Sequence, residues 1–189
     1  MTDGRVHRQS IFCGVKMIIL ITGASHVGKT FLAQRLLEKY KYPYLSIDHL
    51  KMGLIRSGYT SLTPEDDDAL TEYLWPVIRE IIKTAIENGQ NLIVEGCYIP
   101  VDWRQAFNDS YLKQIKFICL AMSEEYIEKH FDEIIRHESE IESRLIKADC
   151  SMSDLKQCNR RVIDSFCRAG ENVVLIEDDF DKVLKSLLD

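Results

Sequence analysis

The chain lacks what several protein classes require. No apolar run reaches the ~18–20 residues that a helix needs to cross a bilayer, so no membrane partner is expected. Residues 1–16 carry Arg5, His7 and Arg8 and have no signal-peptide apolar core. Basic charge is not in excess either: 24 Lys and Arg against 30 Asp and Glu leave a formal net charge of −6. That argues against a nucleic-acid partner, because phosphate backbones are bound through basic surface. The six cysteines (13, 97, 119, 150, 158, 167) form no C-x-x-C pair and no metal-like spacing with histidine. Reduced, buried thiols in a cytoplasmic protein are the expectation. No low-complexity linker and no internal repeat divides the 189 residues, so one domain is expected, with 46% apolar residues to build its core. His26 and His49 stand in no triad-like pairing with a serine or cysteine and receive no catalytic role.

Against these absences stands one strong motif. Gly23-Ala24-Ser25-His26-Val27-Gly28-Lys29-Thr30 fits the phosphate-loop pattern G-x-x-x-x-G-K-[ST] at every fixed position. Met17-Ile18-Ile19-Leu20-Ile21-Thr22 precedes it as a short apolar run, suited to a buried parallel strand. Phe31 to Tyr40 follows with a helical pattern. Gly23 and Gly28 permit backbone angles and close approach that a side chain would block. The loop then aims several N–H groups at one anion, and the helix adds its positive N-terminal end. Lys29 supplies a mobile charge for the β- and γ-phosphates, and Thr30 a hydroxyl for Mg²⁺. The loop therefore binds a nucleoside triphosphate with Mg²⁺.

Beyond the loop, strand and helix patterns alternate. Residues 42–47 read as a second strand ending at Asp48. Thr63-Pro64-Glu65-Asp66 reads as a helix start, with apolar residues at helical spacing from 70 to 86 and closure at Asn88-Gly89. Pro76 lies inside that helix as a candidate kink. Asn91 to Glu95 reads as a third strand, 102–109 as a short helix, 114–121 as a fourth strand, and Ser123 caps a helix running to about Arg136. Ser153 to Ala169 is helical, 172–176 a fifth strand, and Asp179 to Leu188 a last helix. This alternation predicts an α/β fold: parallel strands, right-handed crossovers and helices on both faces. Ligands then bind beyond the carboxyl ends of the strands. Met17 is the expected domain start, with 1–16 a mobile extension and 17–189 the domain.

Two acids fall at such strand ends. Asp48 can accept a proton from a substrate hydroxyl, hold Mg²⁺ through water, or cap a helix. Glu95 closes Leu92-Ile93-Val94-Glu95, where nucleotide-binding sheets place an acid that orders the Mg²⁺ water shell. Lys51, Arg56 and Arg104 are candidate contacts for an anionic acceptor or plain surface charges. Residues 136–150 are strongly charged and poor in apolar side chains, as a lid would be. Arg136 and Arg144 are candidates there to stabilise the γ-phosphoryl group. Arg160 and Arg161 are candidates to contact the nucleotide.

Met17 to the C-terminus resembles the small P-loop kinases, which include nucleoside monophosphate, shikimate and gluconate kinases and chloramphenicol phosphotransferase. It is similar as well to bacterial proteins labelled adenylate kinase or 2-phosphoglycerate kinase. The resemblance rests on Gly23–Thr30, Asp48, Leu92–Gly96 and the late arginine-bearing segment. It implies a five-stranded sheet of order 2-3-1-4-5, ATP as donor and a helical lid over about 136–150. One departure stands out. Adenylate kinases carry Asp-Gly-Phe-Pro-Arg after the third strand, where this chain has Glu95-Gly96-Cys97-Tyr98-Ile99-Pro100 without the arginine. A kinase passing the γ-phosphoryl to a small hydroxyl or phosphate acceptor is the expected function, and a hydroxyl with Asp48 as base fits the departure. Two alternatives share the loop: a regulatory ATPase or switch that binds a protein partner, and a zeta-toxin-like kinase of nucleotide sugars. No Asn-Lys-x-Asp guanine signature is present, which disfavours a GTP-dependent switch.

Overall fold

The computed structural model describes residues 17–137 and 150–188. The elements run β1 (Ile18–Gly23), α1 (Lys29–Tyr40), β2 (Tyr44–Ser46), α2 (Ile47–Arg56), α3 (Asp67–Glu87), β3 (Leu92–Glu95), a 3-10 turn (Trp103–Ala106), α4 (Asp109–Leu112), β4 (Ile115–Met122), α5 (Glu124–His137), α6 (Met152–Arg168), β5 (Val173–Ile176) and α7 (Phe180–Leu188). The five strands form one sheet of order β2-β3-β1-β4-β5, and every described pair is parallel. The α/β class and the strand order expected from the resemblance are both present. The extension 1–16 and the greater part of the lid segment, 138–149, lie outside the described residues.

β1 is central and buried along its whole length. Its alternating side chains feed two cores, as a strand's period of two requires. Ile19 and Ile21 pack with Leu32 and Leu36 of α1, Ile127 and Ile134 of α5 and Leu184 of α7. Ile18 and Leu20 pack with Leu70, Leu74, Ile78 and Ile82 of α3, and with Trp103 and Phe166. Each fully buried aliphatic side chain contributes roughly 1.5–3 kcal/mol relative to exposure. This two-sided burial explains why β1 reads as a continuous apolar run rather than an alternating one.

Several element boundaries differ from the sequence expectation, each for a local reason. β2 stops at Ser46, so Asp48 lies in the first turn of α2 rather than at the strand end. α2 starts early because Ser46 is its N-cap, and Asp48 is therefore not the cap. α3 starts at Asp67, not at Thr63: the Thr63 N–H and hydroxyl both donate to the Asp66 carboxylate, at 2.8 and 3.0 Å, and close a turn first. α3 then runs through Pro76 as one element. The expected helix over 102–109 is a 3-10 turn and a separate short helix. Phe107 is extended between them, and the Asn108 side chain accepts from the N–H groups of Ser110 and Tyr111. The expectation of buried thiols holds for Cys119 alone among the described cysteines. Cys97 and Cys167 are exposed, and Cys150 and Cys158 are half-buried.

Gly23 ends β1 at a point where nothing larger fits. Its φ is +143°, and a Cβ there would lie 2.1 Å from the Leu120 carbonyl oxygen, across the β1–β4 pairing. Gly23→Ala must push the two strands apart. The expected outcome is a loss of more than ~4 kcal/mol, the range of severe single substitutions. It would be read as an insoluble chain or a collapse of Tm, and a Tm within a few degrees of wild type would contradict this packing.

Candidate active site

The loop after β1 is pinned at both ends. Ala24 N–H donates to the Leu120 carbonyl at 3.1 Å, and Leu32 N–H donates to the Gly28 carbonyl at 2.9 Å. Gly28 sits at φ +82° as the N-cap of α1, and no side chain caps that helix end. The first N–H groups of α1 therefore remain available to an anion. Lys29 curls back over its own loop, with Nζ 2.7 Å from the Ala24 carbonyl oxygen and 3.3 Å from that of Gly23. From α6, Cys158 Sγ accepts from the Ser25 N–H at 3.5 Å, so a late helix rests on the loop. His26 adopts φ +63° at the loop's tip.

Glu95 lies in the strand next to the loop strand, paired in register with Ile21 on one side and Ser46 on the other. Its carboxylate is 1% exposed. Thr30 Oγ1 faces one oxygen at 3.4 Å, and the Tyr44 hydroxyl donates to the other at 3.2 Å. Burial raises the Glu95 pKa above the usual carboxylate range, and the charge of Lys29 and the Tyr44 hydroxyl pull part of it back. Such a buried carboxylate is costly unless it meets a cation. The set of Thr30 hydroxyl, Glu95 and neighbouring Asp48 fits Mg²⁺, which keeps most of its waters and takes only one or two carboxylates. Among the described residues no group of three His, Cys, Asp or Glu forms a protein cage.

The raised pKa has a consequence for stability. Between the unfolded and the higher folded pKa, the folded chain holds more protons, so stability falls as pH rises through that window. Below the unfolded value the penalty vanishes, and above the folded value it is complete. Glu95→Gln removes it, and is expected to raise Tm by roughly 2–4 °C above that window. The gain should disappear in acid, and a gain that grows on acidification would contradict the burial of a charged Glu95.

A second wall, made by α2, the start of α3 and the segment after Glu95, carries a chain of polar contacts. Asp48 Oδ1 and Lys51 Nζ pair at 2.8 Å within the first turns of α2. Lys51 also donates to the Tyr98 hydroxyl at 2.8 Å, and Tyr98 donates to Asp67 Oδ1 at 3.1 Å. Tyr98 is 2% exposed. Burial foremost, and then the charges of Cys97, Asp48 and Asp67, push its phenol far up, so it stays a donor. Between the two walls lies Cys97. Its side chain is open to solvent, yet surrounding protein raises its pKa by desolvation, and it feels Lys29, Asp48, Asp67 and Lys51 together.

The other sequence candidates lie elsewhere. Arg104 is held by Glu171 through Nη2 at 3.0 Å and through Nε, and it stacks over Trp103 at 4.6 Å. It clamps the 3-10 turn to the chain before β5 and is no acceptor contact. Arg160 is paired with Glu124 of α5 in an exposed ion pair. Arg161 is exposed on α6. Arg136 lies exposed in the last turn of α5 and lines a cavity of about 340 Å³ with His130, Glu133 and Met152; no residue of 23–30 lines it. Arg144 lies outside the described residues. Sequence reasoning missed Tyr44, Asp67, Tyr98 and Cys158. Only Tyr98 had a local signal, three residues past Glu95.

A phosphate-binding loop between β1 and α1, in a parallel sheet of this order, defines a P-loop nucleotide-binding domain. A family model described as AAA domain matches residues 18–129. That is more than half of the 189 residues, and the chain belongs to this P-loop family. No curated protein matches it. Among solved structures it is similar to a candidate kinase from Chloroflexus aurantiacus j-10-fl, with TM-score 0.55, 18% identity, and 92% of this chain and 97% of that chain covered. It is similar to a sugar kinase from Janibacter sp. HTCC2649, with TM-score 0.54, 14% identity and 92% of each chain covered. A shikimate kinase from Bacteroides thetaiotaomicron matches with TM-score 0.52, 14% identity, and 90% and 96% covered. At these identities the likeness establishes the fold. No described helix is long and apolar enough to cross a membrane.

Proposed function

We propose that the chain is an ATP-dependent kinase that transfers the γ-phosphoryl group to a small-molecule acceptor. The observation that carries this reading is the joining of two walls through Glu95: Thr30 of the phosphate loop faces its carboxylate at 3.4 Å, and Ser46, its register partner, leads directly into the α2 turn that bears Asp48. A switch ATPase needs the first wall only. A phosphoryl transferase needs both, because the reaction depends on holding acceptor and phosphate in line.

Gly23 to Thr30 cradle the phosphates through backbone N–H groups and the N-terminus of α1. Lys29, released from the carbonyls of residues 23 and 24, follows the charge that develops on the transferring group. Asp48 receives the acceptor's hydroxyl proton, and Lys51 keeps its carboxylate oriented from 2.8 Å. Thr30, Glu95 and Asp48 would hold Mg²⁺, which when bound neutralises phosphate charge. Arg136, in the last turn of α5, and Arg144 are proposed to stabilise the transferring phosphoryl group. The sugar and shikimate kinase structures of the same fold support a small-molecule acceptor. The test is ADP release by the full chain with ATP and Mg²⁺, with and without hydroxyl compounds. Release that depends on an acceptor supports the kinase, and release indifferent to every acceptor but altered by a protein partner overturns it.

A further inference from the structure

The acceptor wall has a charge pattern that constrains what it can bind. Among the described residues its one well-placed cation is Lys51, only 11% exposed and already shared between Asp48 and Tyr98. Tyr98 passes the interaction on to Asp67. The set Asp48, Lys51, Tyr98 and Asp67 therefore carries a net charge of about −1, with the phenol neutral. The segment that leads from α2 into α3 adds to this. From Ser57 to Ile78 the sequence contains no Lys or Arg, while Glu65, Asp66, Asp67, Asp68 and Glu72 are all acidic. Arg56 closes α2 eight residues after Asp48, which is about 12 Å along the helix axis. Arg104 is committed to Glu171.

Carboxylate and phosphate ligands are held through guanidinium or ammonium groups free to donate to them. Among the described residues this wall offers only Lys51, with two of its three N–H donors already engaged by Asp48 and Tyr98. A ligand anion would face Asp48 and Asp67 across that shared charge, and like charges at contact distance cost several-fold in affinity even near water. A neutral hydroxyl compound meets no such penalty, and an amine gains from the excess of acid.

We infer that the phosphoryl acceptor is a hydroxyl compound without negative charge, neutral or cationic, selected by the net-negative wall of Asp48, Lys51, Tyr98 and Asp67. This rests on the kinase reading and narrows it, setting aside phosphate and carboxylate acceptors. The reaction is balanced as a simple transfer. The acceptor oxygen bonds to the γ-phosphorus, the bond from that phosphorus to the β–γ bridging oxygen breaks, ADP leaves, and the hydroxyl proton goes to Asp48.

The test uses the full chain with ATP, Mg²⁺ and acceptors in charge-matched sets: glucose, glucosamine and gluconate; adenosine and AMP; myo-inositol and its monophosphate; with chloramphenicol, kanamycin and shikimate beside them. ADP release and the mass of the phosphorylated product are both read. In any set that turns over, the neutral or cationic member should exceed its anionic partner by at least about tenfold in kcat/KM. Asp67→Asn should lower kcat/KM for a cationic acceptor several-fold more than for its neutral counterpart, a difference that a merely structural role would not produce. A best acceptor that is anionic overturns the inference and leaves the kinase reading standing. Acceptor-independent ADP release across all sets overturns both.

Discussion

Lys29→Met is expected to lower kcat/KM for phosphoryl transfer by about 10³-fold, the upper range for losing one preorganised donor at a developing charge. Among the described residues the Lys29 ammonium bonds to loop carbonyls, at 2.7 and 3.3 Å, so the substitution should leave Tm nearly unchanged. The fall should appear in kcat as well as in ATP affinity, because Lys29 is needed most where charge shifts during transfer. Steady-state kinetics with a thermal melt on the same sample separate the cases. Retention of activity within tenfold, or a collapse of Tm, would contradict the role given to Lys29.

Asp48→Asn is the second large effect. Removing a general base costs roughly 10²–10⁴-fold in rate. Asparagine keeps the size and the first turn of α2, where Ser46 rather than Asp48 is the cap. The fold should therefore survive. ATP affinity should hold within about twofold, as binding rests on the loop from Gly23 to Thr30. Slow ATP hydrolysis should fall less than transfer, since water is not held in line by the acceptor wall and gains less from one positioned base. A variant that lost ATP binding and transfer equally would make Asp48 part of the nucleotide site instead.

How much of this was legible in the sequence depended on how far apart the partners lie. The phosphate loop is local: eight consecutive residues, between a buried strand and a helix, specify both fold and ligand. The sheet order followed from the resemblance that this loop, Asp48 and the Leu92–Gly96 run carry. Glu95 could be placed because a strand end is a local feature. Arg104 and Arg160 are only candidates by sequence, and their pairing with Glu171 and Glu124, 67 and 36 residues away, is not visible there. No spacing rule links such residues. The contact of Cys158 with Ser25, across 133 residues, left no trace at all. The turn at Thr63–Asp66 differs for a subtler reason: residues of the type that start a helix here close a turn, with the Asp66 N–H donating to the Thr63 carbonyl and the Asp66 carboxylate accepting from the Thr63 N–H and hydroxyl.

The acceptor wall shows the intermediate case. Lys51 was visible as a neighbour of Asp48 at helical spacing, but its commitment to Tyr98 was not. That commitment changes its meaning, from a free charge waiting for an anion to a strut that orients the base. The absence of Lys and Arg from Ser57 to Ile78 was in plain view in the sequence. It gained significance only once Asp67 was found against Tyr98.

The central claim is that two walls joined through Glu95 serve transfer, and its most direct measurement follows the phosphorus itself. The full chain is incubated with ATP labelled at the γ-phosphorus, Mg²⁺ and the charge-matched hydroxyl compounds, beside Asp48→Asn. The expected result is label on an acceptor without negative charge, lost by about 10²-fold or more in Asp48→Asn. Label found only in inorganic phosphate, at the same rate in wild type and Asp48→Asn, would contradict it.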